Sequence, residues 1–165
     1  MKMSGKKLLL AGLLFNTYWL IAVLGQQAYV WVLVLLVVAC WLKFPGGIKS
    51  AVVIAAVGVF MDYFLSVYNI FSFGSSTLPS WLIMLWLGFG TFVWFMRTTI
   101  TRYPAIIIGL LGGLGGSMSY FAGYRLQAVN WPQGVETTFL ILFVLWLLFS
   151  LTLAVMMKRG IPNYL

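Results

Sequence analysis

Apolar residues in this chain come in long blocks, and the breaks between them are short and either polar or rich in glycine and proline. Residues 8–42 are apolar almost throughout. One helix of that length would measure about 52 Å at 1.5 Å per residue, against a hydrocarbon core of about 30 Å. The block must therefore fold back, and Gly25-Gln26-Gln27 is the break it offers. This predicts spans over 8–24 and 28–42. The basic loop from Lys43 to Lys49, carrying Pro45, Gly46 and Gly47, separates them from a third span over 50–71. The uncharged FSFGSSTLPS makes the next turn, with Pro79 near the start of a helix. Further spans are expected over 80–97, 105–126 and 136–157, parted by the loops Thr98–Pro104 and Gln127–Val135. The pattern thus describes an all-α polytopic membrane protein, 1–165 forming one domain of six transmembrane helices.

The fifth span is unusual for its glycines. Gly112, Gly116, Ser119 and Gly123 recur at i, i+4, i+7 and i+11, so on a helix they share a smooth face. In lipid such a face lets a neighbouring backbone approach closely, because contact rather than water exclusion drives helix association there. This face is the expected packing seam.

Composition agrees with the pattern. The chain is 63% hydrophobic and only 7% charged, whereas soluble domains carry roughly a quarter charged residues. The opening MKMSGKKLLLAGLLFNTYWLIAVLG has the basic start of a signal peptide. Its apolar run is long and lacks a clean small-x-small cleavage site, so it reads as a retained first span.

Charge fixes the orientation. There are ten basic residues against two acidic ones, an excess that could mark either nucleic-acid binding or topology. Six alternating spans place Lys2, Lys6, Lys7, Lys43, Lys49, Arg97, Arg102, Lys158 and Arg159 on one side, and leave only Arg125 toward the other. That clustering is the positive-inside signature, which sets both termini in the cytoplasm and makes a nucleic-acid partner unnecessary. Tyr29, Trp31, Trp81 and Trp131 fall near outer ends, and Trp41, Trp94 and Tyr103 near inner ends, as an interfacial belt requires. Trp19, Trp86 and Trp146 sit deeper, where they either pack or line a pocket.

Asp62 is the polar residue that most needs a reason. It falls mid-span, where an acidic side chain costs on the order of 2.5–3.5 kcal/mol on insertion scales. Gly58, Ser66 and Asn69 lie at helical spacing from it, so a polar stripe climbs toward the outer surface. Asn16 and Trp19 form a polar-aromatic pair in the first span, and Tyr120 adds a group from the fifth. These residues could line a crevice open to the outside and floored by Asp62. Alternatively, Asp62 is hydrogen-bonded to Asn16, Tyr120 or a serine and simply holds the bundle together. Arg125 lies about 30 Å up its helix, against about 18 Å for Asp62. It is an interfacial anchor, an anion clamp for a ligand, or the partner of Glu136.

The inventory of chemistry is thin. Without histidine, Ser-His and Cys-His nucleophiles and His-ligated metals or haem are excluded. The two carboxylates are too far apart for an aspartyl dyad, the lysines are remote from Ser117 and Ser119, and no phosphate-binding loop is present. Neither a cofactor nor a metal is called for. Catalysis by the protein alone is disfavoured, although Asp62 could still carry a proton.

Asn16 with Trp19, Asp62, the Trp-Leu-rich segment around Trp86, and above all GGSMSYFAGYRLQAV over 115–129 carry a resemblance. Most of the chain resembles a family of small bacterial inner-membrane proteins classed as a domain of unknown function. Ser117 and Gln127 depart from that family's usual form of the motif, which has proline after the small residues and glycine before the final Ala. The resemblance implies a location in the bacterial inner membrane and no set activity. Members tend to be encoded beside enzymes that modify membrane fatty acids, which implies a lipid-related role.

Two expectations follow. A binding or transport protein would take a small amphipathic or lipid-like molecule in a periplasm-facing crevice lined by Asp62, Asn16, Trp19, Ser66, Asn69, Trp86, Tyr120 and Arg125. It requires a reachable cavity beside Asp62, Trp86 and Trp19. An accessory subunit or enzyme of membrane lipid modification would instead have a sealed core and a basic, apolar cytoplasmic face for a membrane protein partner. Membrane lipids surround the chain in both cases.

Overall fold

A computed structural model describes residues 5–74 and 77–159; Lys2 and the end of the C-terminal tail lie outside the described residues. Six α-helices account for most of it: α1 (Gly5–Gly25), α2 (Val30–Lys43), α3 (Ile48–Val67), α4 (Ser80–Ile100), α5 (Ala105–Arg125) and α6 (Val135–Lys158). Five continuous helical segments are long and apolar enough to cross a membrane, the first being Gly5–Lys43. In lipid the backbone has no outside partner for its N–H and C=O groups, which is why apolar segments of this length become helices.

The long first segment is bent back on itself. A short 3-10 turn, Gln26–Tyr29, interrupts it. Gln26 takes φ 45°, and the Tyr29 ring folds under Gly25, where a side chain would overlap it. Phe15 of α1 stacks on Phe92 at 4.7 Å, while Trp41 of α2 donates a hydrogen bond to Thr91 at 3.0 Å. Residues 15 and 41 therefore lie at one level, and α1 and α2 run antiparallel across α4.

The tightest helix pairs are α3 with α4 and α5 with α6. At Gly90 the α4 backbone meets Ala51 of α3 so closely that a Cβ would fall 2.6 Å from the Ala51 carbonyl oxygen. On α5, Gly109 and Gly113 lie against Leu147 and its neighbours, Gly112 against Ser150, and Gly116 against the Trp146 ring. The expected seam is thus half displaced. Gly112 and Gly116 meet α6, but Ser119 is only partly covered and Gly123 faces Val129 of the following loop. The contact stripe is Gly109, Gly112, Gly113 and Gly116, at i, i+3, i+4 and i+7, which lies on one face of a helix.

α3 stops at Val67, short of the expected 71. Asn69 adopts φ 56°, its N–H reaches the Ser66 carbonyl, and the Ile70 N–H reaches Leu65. That pair of bonds is a Schellman cap. α5 ends identically, with Gln127 at φ 59° and bonds from Gln127 to Tyr124 and from Ala128 to Gly123. The loops that follow α3 and α5 then pair through Ser72 and Asn130, whose amides and carbonyls exchange hydrogen bonds of 2.9 and 2.8 Å. Phe71, Val129 and Trp131 are buried beneath this clip. Trp81 and Trp131, expected in the interfacial belt, are instead core residues, 5% and 6% exposed, because the loops fold inward over them. Tyr29, Trp31 and Tyr103 are exposed.

A repeat follows from these contacts. Asp62 and Tyr120 are 58 residues apart and bonded to each other. The same separation relates the caps Asn69 and Gln127, the paired Ser72 and Asn130, and the glycines Gly58 and Gly116. Gly58 carries the Trp86 ring, Gly116 carries the Trp146 ring, and the two rings stack at 5.3 Å and 7°. The hairpins α3–α4 and α5–α6 are thus built alike and meet at two tryptophans, an arrangement known from membrane proteins made of parallel internal repeats.

Candidate functional site

Asp62 lies where α3, α4 and α5 meet, with none of its surface exposed. The Trp86 indole N–H donates to Oδ2 at 2.6 Å. The Tyr120 hydroxyl donates across both carboxylate oxygens, at 2.6 and 2.7 Å. Gly58, one turn before Asp62, makes this possible, since a Cβ there would fall 2.1 Å from the Trp86 ring. A polar group buried in an apolar medium must be matched by donors, and here both donors come from neighbouring helices. The carboxyl group therefore ties three helices together.

Aromatic rings enclose this centre. Phe89 and Phe149 stand edge-on to both stacked tryptophans, at 5.3 to 5.9 Å between centroids. Phe71, in the loop after α3, closes that end at 5.6 Å from Tyr120. The Trp146 indole nitrogen is buried and has no hydrogen-bond partner among the described residues, because the hydroxyl at the position equivalent to Asp62 points away to Asp62 itself.

The remaining sequence candidates separate into groups. Trp86 and Tyr120 join Asp62 directly. Asn16 is exposed on α1 and bonds back to the Gly12 carbonyl at 2.9 Å, so it does not hold Asp62. Ser66 is partly buried, and Asn69 is an exposed turn residue whose carbonyl accepts from Gln133. The polar stripe therefore does not make an open crevice over Asp62; the aromatic cap seals it. Arg125 is exposed at the end of α5, away from the Asp62 carboxylate, whose oxygens are taken by Trp86 and Tyr120. Glu136 sits exposed in the first turn of α6, a favourable place for a negative charge. Ser117 was missed as a structural group: fully buried, it bonds to the Gly113 carbonyl at 2.7 Å, and nothing in its local pattern distinguished it from Ser119.

A cavity of about 530 Å³ lies beside this centre, between α1 and α5. Trp86 and Trp146 form its buried floor; Asn16, Gly115 and Met118 form an exposed rim; Trp19 and Tyr120 line its walls. It runs from Leu82 to Phe92 along α4, about 15 Å at 1.5 Å per residue. Its exposed rim faces sideways out of the helix bundle, because α1 packs on α4 while α5 packs on α6. The lining is mainly aromatic and aliphatic, with Asn16, Ser119 and Ser150 among its polar side chains. Among the described residues, no three His, Cys, Asp or Glu side chains come together as a metal site.

The family model described as "Protein of unknown function (DUF2878)" matches residues 8–157. No curated protein and no solved structure matches the chain.

Proposed function

The chain belongs to the DUF2878 family, and we propose that it is a six-span protein of the bacterial inner membrane that binds a lipid-like molecule in the groove between α1 and α5. The single observation that carries this reading is the groove itself: about 530 Å³, elongated along the helices, floored by two tryptophans and rimmed by exposed residues of two helices that stand apart. Its volume falls within the usual range for ligand sites, about 300–1,000 Å³. Asp62 acts behind the floor, fixing Trp86 and Tyr120 in place, and does not touch the ligand.

The positions of the charges support both termini lying in the cytoplasm. Lys6, Lys7, Lys43, Lys49, Arg97, Arg102, Lys158 and Arg159 all sit at the helix ends that contacts such as Phe15–Phe92 and Ala51–Gly90 place at one end of the bundle. Arg125 lies at the opposite end. Single cysteines introduced at Lys49 or Arg102 in a Cys40→Ser background should react with an impermeant maleimide only after the membrane is opened. A cysteine at Gln133 should react in intact cells. The reverse labelling would overturn the orientation.

The ligand reading is tested at Gly115, an exposed rim residue where an added Cβ meets nothing within 4 Å. Gly115→Trp should fill the groove while leaving the fold intact. Native mass spectrometry and crosslinking with a diazirine-bearing acyl lipid should detect an adduct on the unmodified protein and a several-fold weaker one on the variant. Equal adducts on both would remove the groove as the site.

A further inference from the structure

A second cavity, of about 620 Å³, lies on the other side of α1, between α1 and α2 over α4. It begins at Lys7 and Lys43, on facing helices, and reaches Tyr18 and Thr91. From Lys7 to Tyr18 is about 16 Å along α1. Among the described residues, the only charged ones on its lining are those two lysines, both exposed at its mouth. Beyond them the walls are hydrocarbon and aromatic, with Leu14, Val37 and Phe95 among them.

The polar groups at the far end are already committed. The Tyr18 hydroxyl donates to the Met84 carbonyl at 2.6 Å. Thr91 donates to the Leu87 carbonyl at 2.8 Å and accepts from Trp41 at 3.0 Å. Satisfied groups ask nothing of a ligand, whereas an unsatisfied one would favour a polar tip. The groove is therefore cationic at one end and inert along its length. The stacked rings of Phe15 and Phe92 line both cavities and part this one from the α1–α5 groove.

We propose that this groove seats one acyl chain of an anionic phospholipid drawn from the leaflet on the basic side, with the headgroup phosphate between Lys7 and Lys43. Charge complementarity chooses the occupant: a basic residue near a membrane surface favours an anionic lipid, while a zwitterionic one gains little. The site is separate from the α1–α5 groove and does not rest on it.

The test uses the full chain in nanodiscs of phosphatidylcholine with a minor fraction of phosphatidylglycerol, followed by native mass spectrometry of retained lipid. The unmodified protein should retain phosphatidylglycerol in preference to phosphatidylcholine. Lys7→Gln with Lys43→Gln should reduce that preference roughly thirtyfold, and both side chains are exposed, so the fold is not at stake. Ala11→Phe, inside the groove, should lower retention of both lipids, whereas Gly115→Trp, outside it, should leave the preference for phosphatidylglycerol over phosphatidylcholine intact. An unaltered preference in the lysine double variant would overturn the proposal. So would equal retention of the two lipids by the unmodified chain, or displacement of phosphatidylglycerol by added free oleate.

Discussion

Gly90→Ala should be among the most damaging single-methyl changes in the molecule. The added Cβ would lie 2.6 Å from the carbonyl oxygen and 2.8 Å from the Cα of Ala51. Both are backbone atoms, so no rotamer change can make room, and α3 and α4 must separate. Alanine is the better helix former by about 1 kcal/mol, which opposes the effect. Overpacking against a rigid neighbour typically costs about 1–3 kcal/mol and sometimes more, and here the contact lies in one of the two tightest helix pairs. The steric term should win. Gly12→Ala and Gly115→Ala are the controls, since a Cβ at either meets nothing within 4 Å. In thermal melts in detergent, Gly90→Ala should fall several degrees below both. Melting at the controls' temperature would mean that α3 and α4 do not approach as described.

Asp62→Ala should be comparably severe for a different reason. It leaves the Trp86 indole N–H and the Tyr120 hydroxyl buried without their acceptor. Each stranded group costs about 1–3 kcal/mol by soluble-protein measures, although interhelical hydrogen bonds in membranes average nearer 0.6 kcal/mol. A loss of about 2–4 kcal/mol, cavity included, is expected in unfolding by mixed-micelle titration. Asp62→Asn should be milder, because its carbonyl still accepts one bond and its amide can donate to the Tyr120 oxygen. A paired comparison isolates the hydrogen bond from the stacking. Trp86→Phe removes both, whereas Trp146→Phe removes stacking around a nitrogen that has no partner among the described residues. The first should destabilise more. Equal losses would reduce Asp62 to a bystander.

Particular residues mark how far the sequence could be read. The break at Gly25-Gln26-Gln27 was legible because a block too long for a bilayer has to turn. The caps that end α3 and α5 were not: Asn69 and Gln127 take left-handed conformations that glycine would have advertised. The overrun of the third span to 71 has the same origin, since Phe71 is as apolar as the helix before it but sits in the loop cap. Tyr120 is among the sequence candidates for bonding Asp62, whereas the apolar pattern around Trp86 points to packing or pocket lining and nothing in it marks the indole N–H as a donor to Asp62. The repeat was hidden because equivalent positions carry different side chains, Asp62 with Tyr120 and Ser72 with Asn130.

By itself the sequence determined that the chain is helical, apolar on the scale of a membrane, and strongly asymmetric in charge. Hydropathy and segment length decide those properties, because in lipid a long, continuously apolar segment satisfies its own backbone groups by forming a helix. Only the tertiary structure decided which faces meet. On a helix that is apolar all round, lipid and protein look alike to the residue pattern, so the choice between them rests on close contact and on donors supplied from other helices. For that reason Gly109 and Gly113 displaced Ser119 and Gly123 in the seam, and Asp62 became a sealed joint beside a groove instead of the floor of one.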